Sequence, residues 1–391
     1  MLTSIGLLLV VGLFFGRICK RIGLPALIGM MVAGVLLGPF GLNTFSTSLL
    51  DLSAELRQVA LIVILTRAGL SLDLKQLKKV GTSALLMSFL PATFEIVSIA
   101  VLAPLLLGMD LVSALVLGAV LAAVSPAVVV PRMLKLIDEG YGKEAAVPQL
   151  IISGASLDDV FVIVLFTAFS SLSLRQDLQL KTLLSLPLWI IAGVAVGYVV
   201  GKGVSWLFRY YRMRDSVKLA IMLAISFLLL EVEAQISQWL PFSALLAIMA
   251  MGAAIYASYP RLSKRLSVKY DQLWVVSEVF LFVLVGASLN LTYVFSLGIS
   301  AVLLIGLALV VRMLGVYVSI LPTTFKAKEK YFTMLAYTPK ATVQAAIGGI
   351  PLAMGLPYGE VILAVSILAI LLTAPLGAWL IDHTYQRLLT K

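Results

Sequence analysis

The chain has 391 residues and a formal net charge of +10, yet 61% of its residues are hydrophobic and only 12% are charged. A soluble domain of this size needs far more polar surface, so the composition predicts an all-α polytopic membrane protein. The lone cysteine, Cys19, excludes an internal disulfide or a cysteine-rich metal site, and the lone histidine, His383, argues against a histidine metal centre or a serine–histidine hydrolase.

Apolar runs of roughly 17–25 residues are long enough to cross a bilayer. About thirteen are read here: 2–18, 24–44, 56–72, 81–107, 112–135, 146–172, 183–207, 217–234, 241–257, 272–289, 294–321, 331–353 and 359–382. The first is followed, not preceded, by Arg17, Lys20 and Arg21, so it reads as a retained span and not as a signal peptide. Loops are short throughout. No soluble domain or nucleotide-binding motif is visible, so ATP hydrolysis has nothing to couple to and no cofactor is expected. Uphill movement of a solute would have to draw on a gradient.

The basic residues fix an orientation. Odd-numbered loops carry Arg17, Lys20 and Arg21; Lys75, Lys78 and Lys79; Arg132, Lys135 and Lys143; Arg209 to Lys218; Arg261 to Lys269; and Lys326, Lys328 and Lys330. With the tail they hold 22 of the 29 lysines and arginines. The positive-inside rule then places these loops and the C-terminus in the cytoplasm and the N-terminus outside, in the cell (inner) membrane. Because the basic residues lie in short loops between spans, the positive charge does not point to nucleic acid; the large partner is the lipid bilayer.

Two spans carry a matching break. The fifth contains Ser125-Pro126 followed by Ala-Val-Val-Val-Pro131, and the twelfth contains Thr338-Pro339-Lys340-Ala-Thr-Val343. Proline removes a backbone donor and clashes with the preceding turn. Matched discontinuities in two halves of a chain point to a transporter site at the midplane. Spans 1–6 and 8–13 would then be inverted six-helix repeats, residues 1–182 and 217–391, joined by a linker helix at 183–216.

Charges inside apolar spans mark the site. Asp158 and Asp159 lie side by side in the sixth span. A charge near the bilayer centre costs roughly 2.5–3.5 kcal/mol on insertion scales, and such residues commonly mark ion paths or proton relays. On a helix the two carboxylates project about 100° apart, so one can face an ion cavity while the other meets a cation or a helix end. A carboxylate that is charged to hold a cation and neutral to release it provides the chemistry of exchange. Glu95 and Arg312, deep in the fourth and eleventh spans, pair with each other, or Arg312 meets an aspartate. Lys340 directly follows the second break, where it can neutralise exposed carbonyls, pair with an aspartate or carry a proton.

These residues resemble the monovalent cation/proton antiporter superfamily, most closely the NHA-type sodium/proton exchangers and their bacterial relatives. The resemblance rests on Gly-Ala-Ser-Leu-Asp158-Asp159, Val-Ser125-Pro126-Ala-Val-Val-Val-Pro, Pro339-Lys340-Ala-Thr-Val-Gln-Ala-Ala and Ala33-Gly-Val-Leu-Leu-Gly-Pro39. It implies crossing broken helices in spans 5 and 12, a mobile core moving against a dimerisation domain, and a homodimer. It further implies that Asp159 binds the metal cation and the proton in turn, with Asp158 as its partner. In electrogenic bacterial members that partner pairs with a lysine, whose position is occupied here by Arg312, a departure from the pattern. The expected function is secondary-active exchange of Na⁺ or Li⁺ for H⁺. The alternative is a potassium/proton exchanger or cation channel of the same superfamily. An intramembrane aspartyl protease is disfavoured, since its aspartates come from two helices and these are adjacent on one.

Overall fold

A computed structural model describes residues 1–71, 81–175, 180–236 and 242–391. The loop lysines Lys75, Lys78 and Lys79 therefore lie outside the described residues. Within those bounds the chain is helical and contains no strand. In chain order the helices are α1 (Leu2–Arg21), α2 (Ala26–Leu37), α3 (Thr47–Asp51), α4 (Ser53–Ser71), α5 (Gly81–Met87), α6 (Leu90–Leu107), α7 (Leu111–Leu121), α8 (Pro126–Glu139) and α9 (Val147–Arg175). There follow α10 (Leu180–Tyr210), α11 (Asp215–Ile236), α12 (Ala244–Ser258), α13 (Pro260–Ala287), α14 (Leu291–Ser319), α15 (Ala327–Ala336), α16 (Thr342–Ile347), α17 (Ile350–Ala353) and α18 (Gly359–Leu388).

Among the described residues, nine helical stretches are long and apolar enough to cross a membrane, and three shorter apolar helices accompany them. The protein is a multi-pass helical membrane protein. Where helices end earlier than the apolar runs, the sequence supplies the reason. The run 24–44 was expected to be one span, yet α2 stops at Leu37. Gly38-Pro39 follows, and a residue before proline is pushed out of the α region. The chain then turns back, with the amides of Leu42 and Thr44 donating to the carbonyls of Leu36 and Leu37 at 2.7 and 3.0 Å.

The helices form two compact units. One takes in the described residues of Met1–Ala54, Val80–Leu174 and Val279–Lys391. Here α6 packs on α7 and α14, and α18 lies against α7, α8, α14, α15 and α16. Met87, Val124, Val129, Met133, Ile151, Ala155, Phe332 and Tyr337 belong to one buried apolar cluster within it. The other unit takes in the described residues of Glu55–Lys79 and Arg175–Glu278. Its main contact is α10 on α12. Gly193, Gly197 and Gly201 recur every four residues on α10 and meet the backbone of Ser243, Ala247 and Met251. With no side chain in the way the helices approach closely, the usual means of packing in lipid. Arg67, charged within an apolar run, pairs with Asp271 in this unit.

Candidate functional site

The fifth predicted span is interrupted between Leu121 and Pro126, and the twelfth between Ala336 and Thr342. Pro126 occupies the first position of α8, where a helical amide would have no partner in any case. The two interruptions touch, the Ser125 amide donating to the Pro339 carbonyl at 2.8 Å. Sequence reading placed Ser125, Pro126, Thr338, Pro339 and Lys340 at such a crossing.

A helix that stops inside a membrane leaves carbonyls that only protein can satisfy. Three side chains do so for α7. The Leu121 carbonyl accepts from Lys340 Nζ at 2.7 Å and from Gln344 Nε2 at 3.1 Å. The Ala122 carbonyl accepts from Arg312 Nη1. The Ala123 carbonyl accepts from Gln344 Nε2 at 2.9 Å. On the second break, the Tyr337 carbonyl accepts from Arg312 Nε at 3.1 Å, and the Lys340 amide donates to Thr373 Oγ1 of α18 at 3.0 Å.

The carboxylates complete the arrangement. Asp158 Oδ2 accepts the Val124 amide and Arg312 Nη2, each at 2.8 Å. Glu95 Oε2 accepts Arg312 Nη1 at 2.9 Å and Lys340 Nζ at 2.8 Å, and the same ammonium lies 2.7 Å from Oε1. All four of these residues are essentially inaccessible to solvent. Arg312 thus meets both partners considered for it, and Lys340 meets Glu95 and a carbonyl instead of an aspartate. Asp159 differs. It forms no ion pair among the described residues, and its buried Oδ1 accepts no hydrogen bond from them. The other oxygen of Asp158, Oδ1, likewise accepts no hydrogen bond from the described residues.

Counted with every group ionised, Glu95, Asp158 and Asp159 face Arg312 and Lys340, which leaves one negative charge over. Bringing charges into a low-dielectric interior is expensive unless each is balanced. One monovalent cation or one proton neutralises this set.

Three participants were not singled out from the sequence. Gln344 follows Lys340 by four residues and is a buried amide in an apolar run, which was the available signal. Thr373 had none beyond being a hydroxyl in the last span. Tyr337 is the first residue of the second break; its ring lies 5.5 Å from the Arg312 guanidinium, and its hydroxyl donates to the Met87 carbonyl at 3.4 Å. That hydroxyl packs on Gly154, one turn before Asp158 on α9, where any Cβ would collide with it.

A family model described as "Sodium/hydrogen exchanger, transmembrane" matches residues 6–382. The chain belongs to the sodium/hydrogen exchanger family. It is therefore a transporter and not an enzyme. Among curated relatives, Sodium/hydrogen exchanger 9B2 of Homo sapiens is 34% identical over 384 residues, covering 94% of this chain and 70% of the relative. Sodium/hydrogen exchanger 9B1 of Homo sapiens is 32% identical over 389 residues, covering 94% and 73%. The fold is similar to that of the sodium proton antiporter MjNhaP1 from Methanocaldococcus jannaschii at pH 8. The TM-score is 0.85 at 21% identity, over 99% of this chain and 98% of that one.

Proposed function

We propose that this cation/proton antiporter exchanges Na⁺ or Li⁺ for H⁺ by alternating access, with Asp159 as the carboxylate that each occupies in turn. The observation that carries this reading is the pairing pattern. Glu95 and Asp158 each have a cation at hydrogen-bond distance, whereas among the described residues Asp159 has none. An anion without a fixed counter-charge, next to a neutralised one, is the group on which a mobile cation and a proton compete. Asp158 supports it by fixing the Val124 amide and Arg312 beside the break.

Exchange is one for one in this reading. Either bound species brings the net charge of the cluster to zero. A second proton would need a carrier, and Arg312 stays protonated under any realistic condition. The transporter would be built from inverted repeats, residues 1–182 and 217–391 around a linker at 183–216. The matching breaks support that division. It would work as a homodimer in the cell membrane, with a cytoplasmic C-terminus that the distribution of basic residues supports.

The test is transport in proteoliposomes. An imposed Na⁺ gradient should alkalinise or acidify the lumen according to its direction, K⁺ should drive less, and Asp159→Asn should abolish the response while remaining folded. Retained Na⁺-driven pH change in Asp159→Asn would refute the assignment.

A further inference from the structure

Gln344 stands on α16 and is 1% exposed. Its Nε2 donates to two carbonyls, Leu121 at 3.1 Å and Ala123 at 2.9 Å. An amide nitrogen has two hydrogens, so both are used. Exchanging nitrogen for oxygen would set lone pairs against two carbonyls, which fixes the orientation of the amide. Oε1 is therefore the atom left over at the crossing of the broken helices. It is buried and accepts no hydrogen bond from the described residues.

Buried oxygens normally have a partner. The backbone that Gln344 grips continues directly into Val124, whose amide holds Asp158, and Asp158 is followed by Asp159. Hard cations are bound by oxygen, with neutral carbonyl-type ligands completing what carboxylates begin. Cavity size and ligand rigidity then decide which ion fits. Because two carbonyls pin the amide, its oxygen can neither advance toward a smaller ion nor retreat from a larger one.

We infer that Gln344 Oε1 is a neutral oxygen ligand of the transported cation and sets the preference among monovalent ions. This rests on the antiport reading above. A proton bound on an aspartate needs no such ligand. The amide therefore acts on cation affinity and leaves proton affinity alone, whereas a residue that merely holds the fold would not separate the two.

The experiment measures Na⁺ and Li⁺ concentration dependence at several pH values in proteoliposomes, for the unmodified protein, Gln344→Met and Gln344→Asn. For Gln344→Met the alkaline-limit KM for Na⁺ should rise about tenfold or more, the scale of one lost contact to a charged group. The Li⁺ to Na⁺ ratio should shift as well, while the pH at which protons double KM stays in place. Gln344→Asn, which keeps the amide on a shorter stem, should fall between. If Gln344→Met does not purify as a folded species, Gln344→Asn is judged by the same criteria. Unchanged KM and ion ratio in the folded variants, or a loss of rate equal for both ions, would overturn the assignment. An unmodified protein that shows no cation-driven pH change would instead bring down the antiport reading beneath it.

Discussion

Lys340 sits astride the carboxylate of Glu95, its Nζ 2.7 Å from Oε1 and 2.8 Å from Oε2, although 245 residues separate the two. Arg312 shares the same carboxylate but also holds Asp158 and the carbonyls of Ala122 and Tyr337. The two cations are therefore not equivalent, and variants should report the difference.

Glu95→Gln leaves Arg312 and Lys340 with one fewer anion between them. Removing one partner of a buried ion pair destabilises by about 3–5 kcal/mol, and removing both costs less. The double variant Glu95→Gln with Lys340→Met should therefore melt higher than Glu95→Gln alone. Adding Arg312→Met to Glu95→Gln should give no such recovery, because Asp158 and two carbonyls lose their donor. Thermal melting of the detergent-purified proteins measures all three. Equal recovery in both doubles would show that Arg312 does no more than Lys340.

Exchange by the unmodified protein should carry no net charge. A Na⁺ concentration jump on a supported membrane should give no sustained current once the binding transient is subtracted. Arg312→Lys puts a group that can release a proton beside Asp158, so a current should appear there. A large current from the unmodified protein, abolished in Lys340→Met, would instead make Lys340 a second proton carrier.

Protons and Na⁺ compete for one carboxylate in this mechanism, which fixes the sign of the pH dependence. Protonation removes the binding form, so apparent KM for Na⁺ should climb as pH falls. Below the titration of the site the slope approaches about tenfold per pH unit, equivalent to one proton displaced. Initial rates across a pH series at several Na⁺ concentrations give the slope directly. A flat KM would exclude competition.

Gly154 allows the Tyr337 hydroxyl to lie against α9 one turn before Asp158. Gly154→Ala should destabilise by about 1–3 kcal/mol, the usual effect of overpacking a filled core. Transport should fall with it, since the displaced ring lies over Arg312. Tyr337→Phe removes the nearer of the two atoms that a new Cβ would strike, Met87 Cβ at 2.9 Å being the other, so the double variant should regain part of the loss. Melting temperature and antiport rate, measured together, would show whether it does.

Much of this protein is decided by chemistry that a short window of sequence contains. Apolar runs long enough to cross a bilayer satisfy their own backbone as helices, so these runs together with the composition point to an all-helical membrane fold. Pro126 and Pro339 each remove a helical amide and crowd the preceding turn, which gives the two breaks a local cause, although Pro104, Pro131 and Pro375 lie inside helices that continue past them. Asp158, Asp159, Glu95, Arg312 and Lys340 stand out because ionic groups in apolar runs need a reason. The same logic at Gly38-Pro39 accounts for the end of α2, which the reading of 24–44 as one span misses.

Which charge meets which is a different matter. Asp158 and Asp159 are neighbours of identical chemistry, and nothing local says that one takes Val124 and Arg312 while the other forms no ion pair among the described residues. That follows from the rotation of α9 against α7 and α14, which packing over the whole unit decides. The sharing of Glu95 by Arg312 and Lys340 joins residues 217 and 245 positions apart. The role of Gln344 was hidden for the same reason, although a polar amide in an apolar run was there to be noticed. Its place depends on carbonyls that exist as acceptors only because a second broken helix crosses the first, and a sequence read along its length shows no crossing.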